Sequence, residues 1–111
     1  MVMINYVHRG DSFLLQAAGH AGAAPKGQDL VCCGVSVLVQ TLAQRMLDLY
    51  MEGLLQEFPE TILSSDGSCV AAKALPKTVQ LIEQAFAVIL TGLRMLAEQY
   101  PQYITLFESY P

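Results

Sequence analysis

Two helix-length apolar patterns divide this chain, and each follows a pair of short strand-like runs. Residues 1–9 alternate, with Val2, Ile4 and Tyr6 on one side and Met3, Asn5 and Val7 on the other, which is the period of a strand. Gly10-Asp11 is a turn signal, and residues 12–18 give a second strand through Phe13, Leu14 and Leu15. The two runs are expected to pair as a hairpin. A second pair, residues 61–65 and 68–75, flanks Asp66-Gly67, a strong hairpin-turn dipeptide. The first helix is predicted over residues 30–56 with Asp29 as its N-cap, ended by Phe58-Pro59. The second is predicted from a Thr78 cap to about Gln99, where Pro101 breaks it, and residues 102–107 can add a short final strand.

The order is therefore β-β-α-β-β-α, with a possible last strand. In the first helix Val31, Val35, Leu38, Leu42, Leu49 and Gly53 recur at helical spacing, with Arg45-Met46 filling the remaining turn. This stripe is expected to face the sheet. In the second, Val79, Ile82, Phe86, Ile89, Leu93 and Leu96 form a narrow seam that Leu81, Ala85 and Val88 widen. One side of that helix is expected to meet the sheet and the other a second subunit. A sheet packed against two helices is the two-layer α+β solution. At 111 residues the chain reads as one domain, residues 1–111. A hydrophobic share of 53% against 14% charged residues makes it a packed protein, not a disordered one.

The net charge of −4 argues against direct nucleic-acid binding, which needs clustered Lys and Arg. A basic peptide is the better electrostatic partner. No secretory signal pattern opens the chain. No continuous apolar run reaches transmembrane length, the longest being residues 85–90, so no membrane partner is expected. Three cysteines, two of them adjacent, suit free thiols in a reducing cytoplasm better than a disulfide framework. They lack the paired spacing of a zinc site, and no phosphate-binding glycine motif is present. The expectation is therefore no metal and no cofactor.

The chemistry concentrates between Gly19 and Leu38. His20 follows the second strand, and Cys32 falls in the first turn expected for the long helix. A helix N-terminus offers free N–H groups and partial positive charge, which favour the thiolate. A nearby imidazole can act as its base or ion-pair partner. The backbone N–H groups of Cys32 and Cys33 become candidate oxyanion donors. Asp29 has two compatible jobs, capping the helix or orienting His20. Ser36 lies one turn beyond Cys32 on the same face. Residues 21–28, carrying Gly22 and Gly27, read either as a lid over the site or as an ordinary connecting loop. Cys33 and Cys69 read as small core residues, and His8 as an exposed turn residue.

Gly19-His20-Ala21 followed by Asp29-Leu30-Val31-Cys32 and Ser36 resembles the ribosomal-processing cysteine proteases of bacteria. The resemblance implies a cytosolic endopeptidase that removes the N-terminal extension of a large-subunit ribosomal protein. It implies a homodimer, and Cys32 and His20 as a catalytic dyad working through a thioester acyl-enzyme. Gly19, Asp29 and Ser36 match supporting positions of the family pattern. Family members recognise a short apolar and aromatic segment before the cut. The rival readings are a non-catalytic, ribosome-associated peptide-binding module of the same fold and a thiol sensor. Adjacent cysteines form only a strained disulfide, which weakens the sensor.

Overall fold

The computed structural model describes residues 1–19, 26–64 and 66–111, and within the first helix the side chains from Leu30 onward. The elements run β1 (Val2–Arg9), β2 (Ser12–Ala18), α1 (Lys26–Met51), β3 (Glu60–Leu63), β4 (Gly67–Lys73), α2 (Val79–Gln99) and β5 (Ile104–Ser109). The final strand is therefore present. The five strands form one sheet in the order β3-β4-β2-β1-β5. Only β1 and β5 pair in parallel, Val2 opposite Ile104; the other pairs are antiparallel. The β4-α2-β5 crossover places the last strand beside the first.

Alternation decides which face is covered. Ile4 and Tyr6 of β1, Phe13 and Leu15 of β2, and Val70 and Ala72 of β4 are all buried. They lie under Val31, Val35, Leu42, Met46 and Leu49 of α1 and Ile82, Phe86, Ile89 and Leu93 of α2, which are buried in the same core. Phe13 and Phe86 stack with ring centroids 5.4 Å apart, and Tyr6 meets Phe86 at 5.8 Å. The opposite face carries Met3, Ile62 and Phe107, all exposed. Most of each predicted stripe meets the sheet, while Leu38 and Leu96 face the opposite helix instead. Each helix also turns a glycine toward a leucine of the other. A methyl group built on Gly34 would lie 3.0 Å from Leu96 Cδ1, and one on Gly92 the same distance from Leu38 Cδ2. The backbones approach closely because those positions lack side chains.

Leu30–Met51 and Val79–Gln99 have the length and apolar composition of membrane spans. Both lay a face on the sheet, and a core helix of a two-layer domain meets the same compositional test.

Several boundaries differ from the sequence expectation. The first helix begins at Lys26, directly after Pro25, a residue that suits a helix start and resists continuation from upstream. It ends at Met51, not near Gln56, because Gly53 takes φ +78°. Gly53 N–H donates to Tyr50 O at 2.9 Å and Leu54 N–H to Leu49 O at 3.0 Å, the paired bonds of a glycine-terminated helix. Gly53 is a stop signal, not part of the apolar stripe. Thr78 precedes α2 but makes no side-chain cap bond. Its hydroxyl instead donates to Leu54 O at 2.9 Å and accepts from Leu75 N–H at 2.9 Å. His8 is not simply exposed. It stacks on Phe13 at 4.2 Å, with Nδ1 3.3 Å from Glu83 and Nε2 2.9 Å from Gly10 O.

Candidate active site

The sequence pattern of Gly19 and Cys32 is drawn together by the hairpin and the first helix. Strand β2 ends at Ala18, and Gly19 follows with φ +94°. A methyl group built there would sit 2.4 Å from the Met1 carbonyl oxygen. Glycine is therefore required twice, by backbone conformation and by the passage of the first strand. From α1, Cys32 enters the same place. Val31 and Val35 on either side of it are buried, so the pitch of the helix leaves Cys32 half-buried at the rim of the core.

Gly19, Cys32 and Ser36 line one small pocket of about 150 Å³. Its other walls include Val2 and Ala17 from β1 and β2 and Ser64, Gly67 and Ser68 from the β3–β4 hairpin. Those last three residues carry no motif of their own. Their signal was the Asp66-Gly67 turn, which delivers its flanking serines to the end of the sheet where β2 also ends. Ser64 Oγ donates to Gly67 O at 2.6 Å, and Gly67 N–H donates back to Ser64 Oγ at 3.2 Å. The hairpin end is thus held in shape beside the thiol.

His20 and Gly22 lie outside the described residues, as does the side chain of Asp29. The backbone of Asp29 is the fourth residue of α1, so it is not an N-cap. Gly27 is the second residue of the same helix, so the connection expected over 21–28 is shortened and Gly27 does not belong to a loop. Cys32 is consequently the seventh helical residue, past the first turn. There, backbone N–H groups are taken by carbonyls four residues earlier. The N–H groups of Cys32 and Cys33 are therefore not the free donors that a start at Asp29 would leave.

The two remaining thiols are also placed differently from expectation. Cys33 is exposed, not a core filler, because the helix turns it about 100° from Cys32. Cys69 is half-buried on the open face of the sheet, beside Met3, Asn5 and Gln16. Burial, and secondly the charge of Glu60, push its thiol pKa up. Among the described residues no cluster of three or more His, Cys, Asp or Glu side chains could hold a metal ion.

The sequence profile of the cysteine protease Prp family matches residues 1–105. The chain belongs to that family. It is a cysteine protease by family, and its fold agrees with solved structures. SMU.848 from Streptococcus mutans superposes with a TM-score of 0.72 at 21% identity, covering 100% of this chain and 96% of that one. The essential ribosomal processing protease Prp from S. aureus, solved with a substrate peptide, gives 0.72 at 17% identity, covering 97% and 99%. The same S. aureus protein with a covalently linked product peptide gives 0.68 at 19% identity over 97% and 99%. At these identities the likeness is one of fold. No curated protein sequence matches the chain.

Proposed function

We propose that this Prp-family protease is a cytoplasmic endopeptidase that trims the N-terminal extension of a large-subunit ribosomal protein, with Cys32 as nucleophile and His20 as its proton partner. One observation carries the reading. Cys32 on α1 and Gly19, the residue joined to His20, line a single pocket, in a chain that matches the Prp profile almost end to end. The relative from S. aureus is named for ribosomal processing and has been solved with substrate and product peptides, which supports carrying that substrate class here. The cytoplasmic assignment is supported by three free cysteines.

In the proposed cycle the Cys32 thiolate adds to the scissile carbonyl carbon. The tetrahedral intermediate collapses, the C–N bond breaks, and His20 gives its proton to the departing amine. Water then gives a proton to His20 as it adds to the thioester carbonyl carbon. The C–S bond breaks, the acyl group leaves as its carboxylic acid, and the Cys32 thiolate beside protonated His20 is restored. Ser36, one turn along and in the same pocket, is available to hydrogen-bond the reacting groups. Asp29 is assigned the orientation of His20.

Pairing of two copies is part of the proposal. Leu81, Val88 and Met95 on α2 are exposed and lie seven residues apart, which gives one apolar stripe along the helix. Sedimentation of the protein and of Val88→Glu tests it, with a monomeric wild type counting against it.

The deciding experiment is incubation with the extended ribosomal protein, followed by mass measurement of the products. Cleavage at one bond near the N-terminus, abolished in Cys32→Ser and in His20→Ala, is the expected result. Full cleavage by Cys32→Ser would overturn the assignment.

A further inference from the structure

The pocket at Cys32 does not end there. It shares Ser36, Ser64 and Ser68 with a second cavity of about 280 Å³. That cavity in turn shares Gln40 and Leu63 with a third, of about 630 Å³, which runs between α1 and β3 past Thr41 and Gln44 toward Asp48. The three adjoin in sequence through these shared wall residues, a groove with Cys32 in its first part. From Cys32 to Asp48, α1 rises about 24 Å at 1.5 Å per residue, the reach of about seven residues of extended chain.

The far wall of this groove is a sheet edge. Among the described residues strand β3 is outermost and pairs only with β4. Ser64 N–H donates to Gly67 O at 3.2 Å, so Ser64 and Gly67 are a hydrogen-bonded pair. Pairs of this kind recur at every second residue of an antiparallel ladder. Ile62 therefore shares its N–H and C=O with β4, while those of Thr61 and Leu63 point to the open edge. Thr61 and Leu63 are the two β3 residues that line the groove. Among the described lining residues none from Ser36 to Gln44 is charged, and charge appears with Arg45 and Asp48 at the far end.

We infer that the groove between α1 and β3 receives an extended, uncharged peptide segment flanking the scissile bond, which adds to the sheet as a strand paired with the backbone of Thr61 and Leu63. The inference rests on the proteolytic reading of Cys32 and names the surface that holds the substrate. Main-chain pairing supplies affinity that tolerates sequence variation, and the Val37–Leu63 stretch selects apolar side chains.

Binding is measured by fluorescence anisotropy on the Cys32→Ser protein. The probe is a labelled twelve-residue peptide spanning the junction between extension and mature ribosomal protein. Thr61→Pro removes one edge N–H at a position where an edge strand accepts proline. Val37→Lys puts a charge on the exposed α1 wall without disturbing the core. Each is expected to weaken binding at least tenfold, while Lys77→Gln in the exposed turn before α2 leaves it unchanged. Affinity within twofold of the parent for folded Thr61→Pro and Val37→Lys overturns the groove and leaves the protease assignment standing. Cleavage by Cys32→Ser overturns the protease assignment, and the anisotropy series still decides the groove.

Discussion

The hydroxyl of Thr78, at the start of α2, donates to the carbonyl of Leu54, just past the end of α1, at 2.9 Å. The same oxygen accepts from Leu75 N–H at 2.9 Å, and Thr78 is almost fully buried. One side chain thus ties the exit of the first helix to the entry of the second. Thr78→Val keeps the shape and removes the hydroxyl, leaving a half-buried N–H and a half-buried carbonyl short of a partner. A loss of about 1–3 kcal/mol is expected, read by urea denaturation. Thr78→Ser, which keeps the hydroxyl, is expected to recover most of it.

Gly19 makes a second test, because two independent constraints meet there. Its φ of +94° is costly for any residue with a Cβ, and that Cβ would fall 2.4 Å from the Met1 carbonyl oxygen. Gly19→Ala must therefore move either the chain between β2 and His20 or the start of β1. The expected outcome is a fall of at least tenfold in kcat/KM on the extended ribosomal protein, larger than that for Ser36→Ala. Equal activity in Gly19→Ala and wild type would show that the backbone there adjusts freely.

The pair between α2 and β5 gives a pH test. Arg94 Nε donates to Glu108 Oε2 at 2.8 Å, and that hydrogen bond is the main reason the Glu108 carboxyl is held below its usual range, against the opposing effect of burial. A carboxyl more acidic in the folded than in the unfolded protein stabilises above its unfolded pKa, about 4.3 for Glu, and stops doing so as pH falls through the lower folded value. The melting temperature of wild type should therefore exceed that of Glu108→Gln at neutral pH and converge with it in acid. For a pair this exposed the difference is at most about 1 kcal/mol. A gap that widens as pH falls would contradict the assignment.

Most of the fold was legible because its signals are local. Alternation in β1 and β2, the Asp66-Gly67 turn and the seam from Ile82 to Leu93 each specify one element without reference to the others. The helix boundaries were less so. Asp29 looks like an N-cap and Pro25 like a loop residue, yet the helix begins directly after that proline; several compatible start signals lie close together, and local pattern does not rank them. Gly53 was absorbed into a stripe because glycine is compatible with an apolar spacing, while its positive φ belongs to the chain's exit toward Leu54. That Gly19, Cys32 and Ser36 come to one pocket was legible from their order and spacing. Ser64 and Ser68 were not, since they reach the thiol only through sheet topology, and no spacing along the chain brings residue 64 beside residue 32.

The Cys33 and Cys69 thiols should separate by reactivity. Cys33 is exposed on α1, whereas Cys69 is half-buried on the open sheet face. Burial and then the nearby charge of Glu60 make the Cys69 thiol harder to ionise, and the thiolate is the form that alkylates. Under limiting iodoacetamide at neutral pH, peptide mapping should find Cys69 the last to be modified. Its labelling should rise steeply toward alkaline pH, because its thiolate fraction is still climbing there. Glu60→Gln removes the smaller of the two causes and should speed Cys69 labelling modestly while leaving Cys33 unchanged. Prompt labelling of Cys69 at neutral pH would mean that the open face of the sheet shields it less than its neighbours Met3, Asn5 and Gln16 imply.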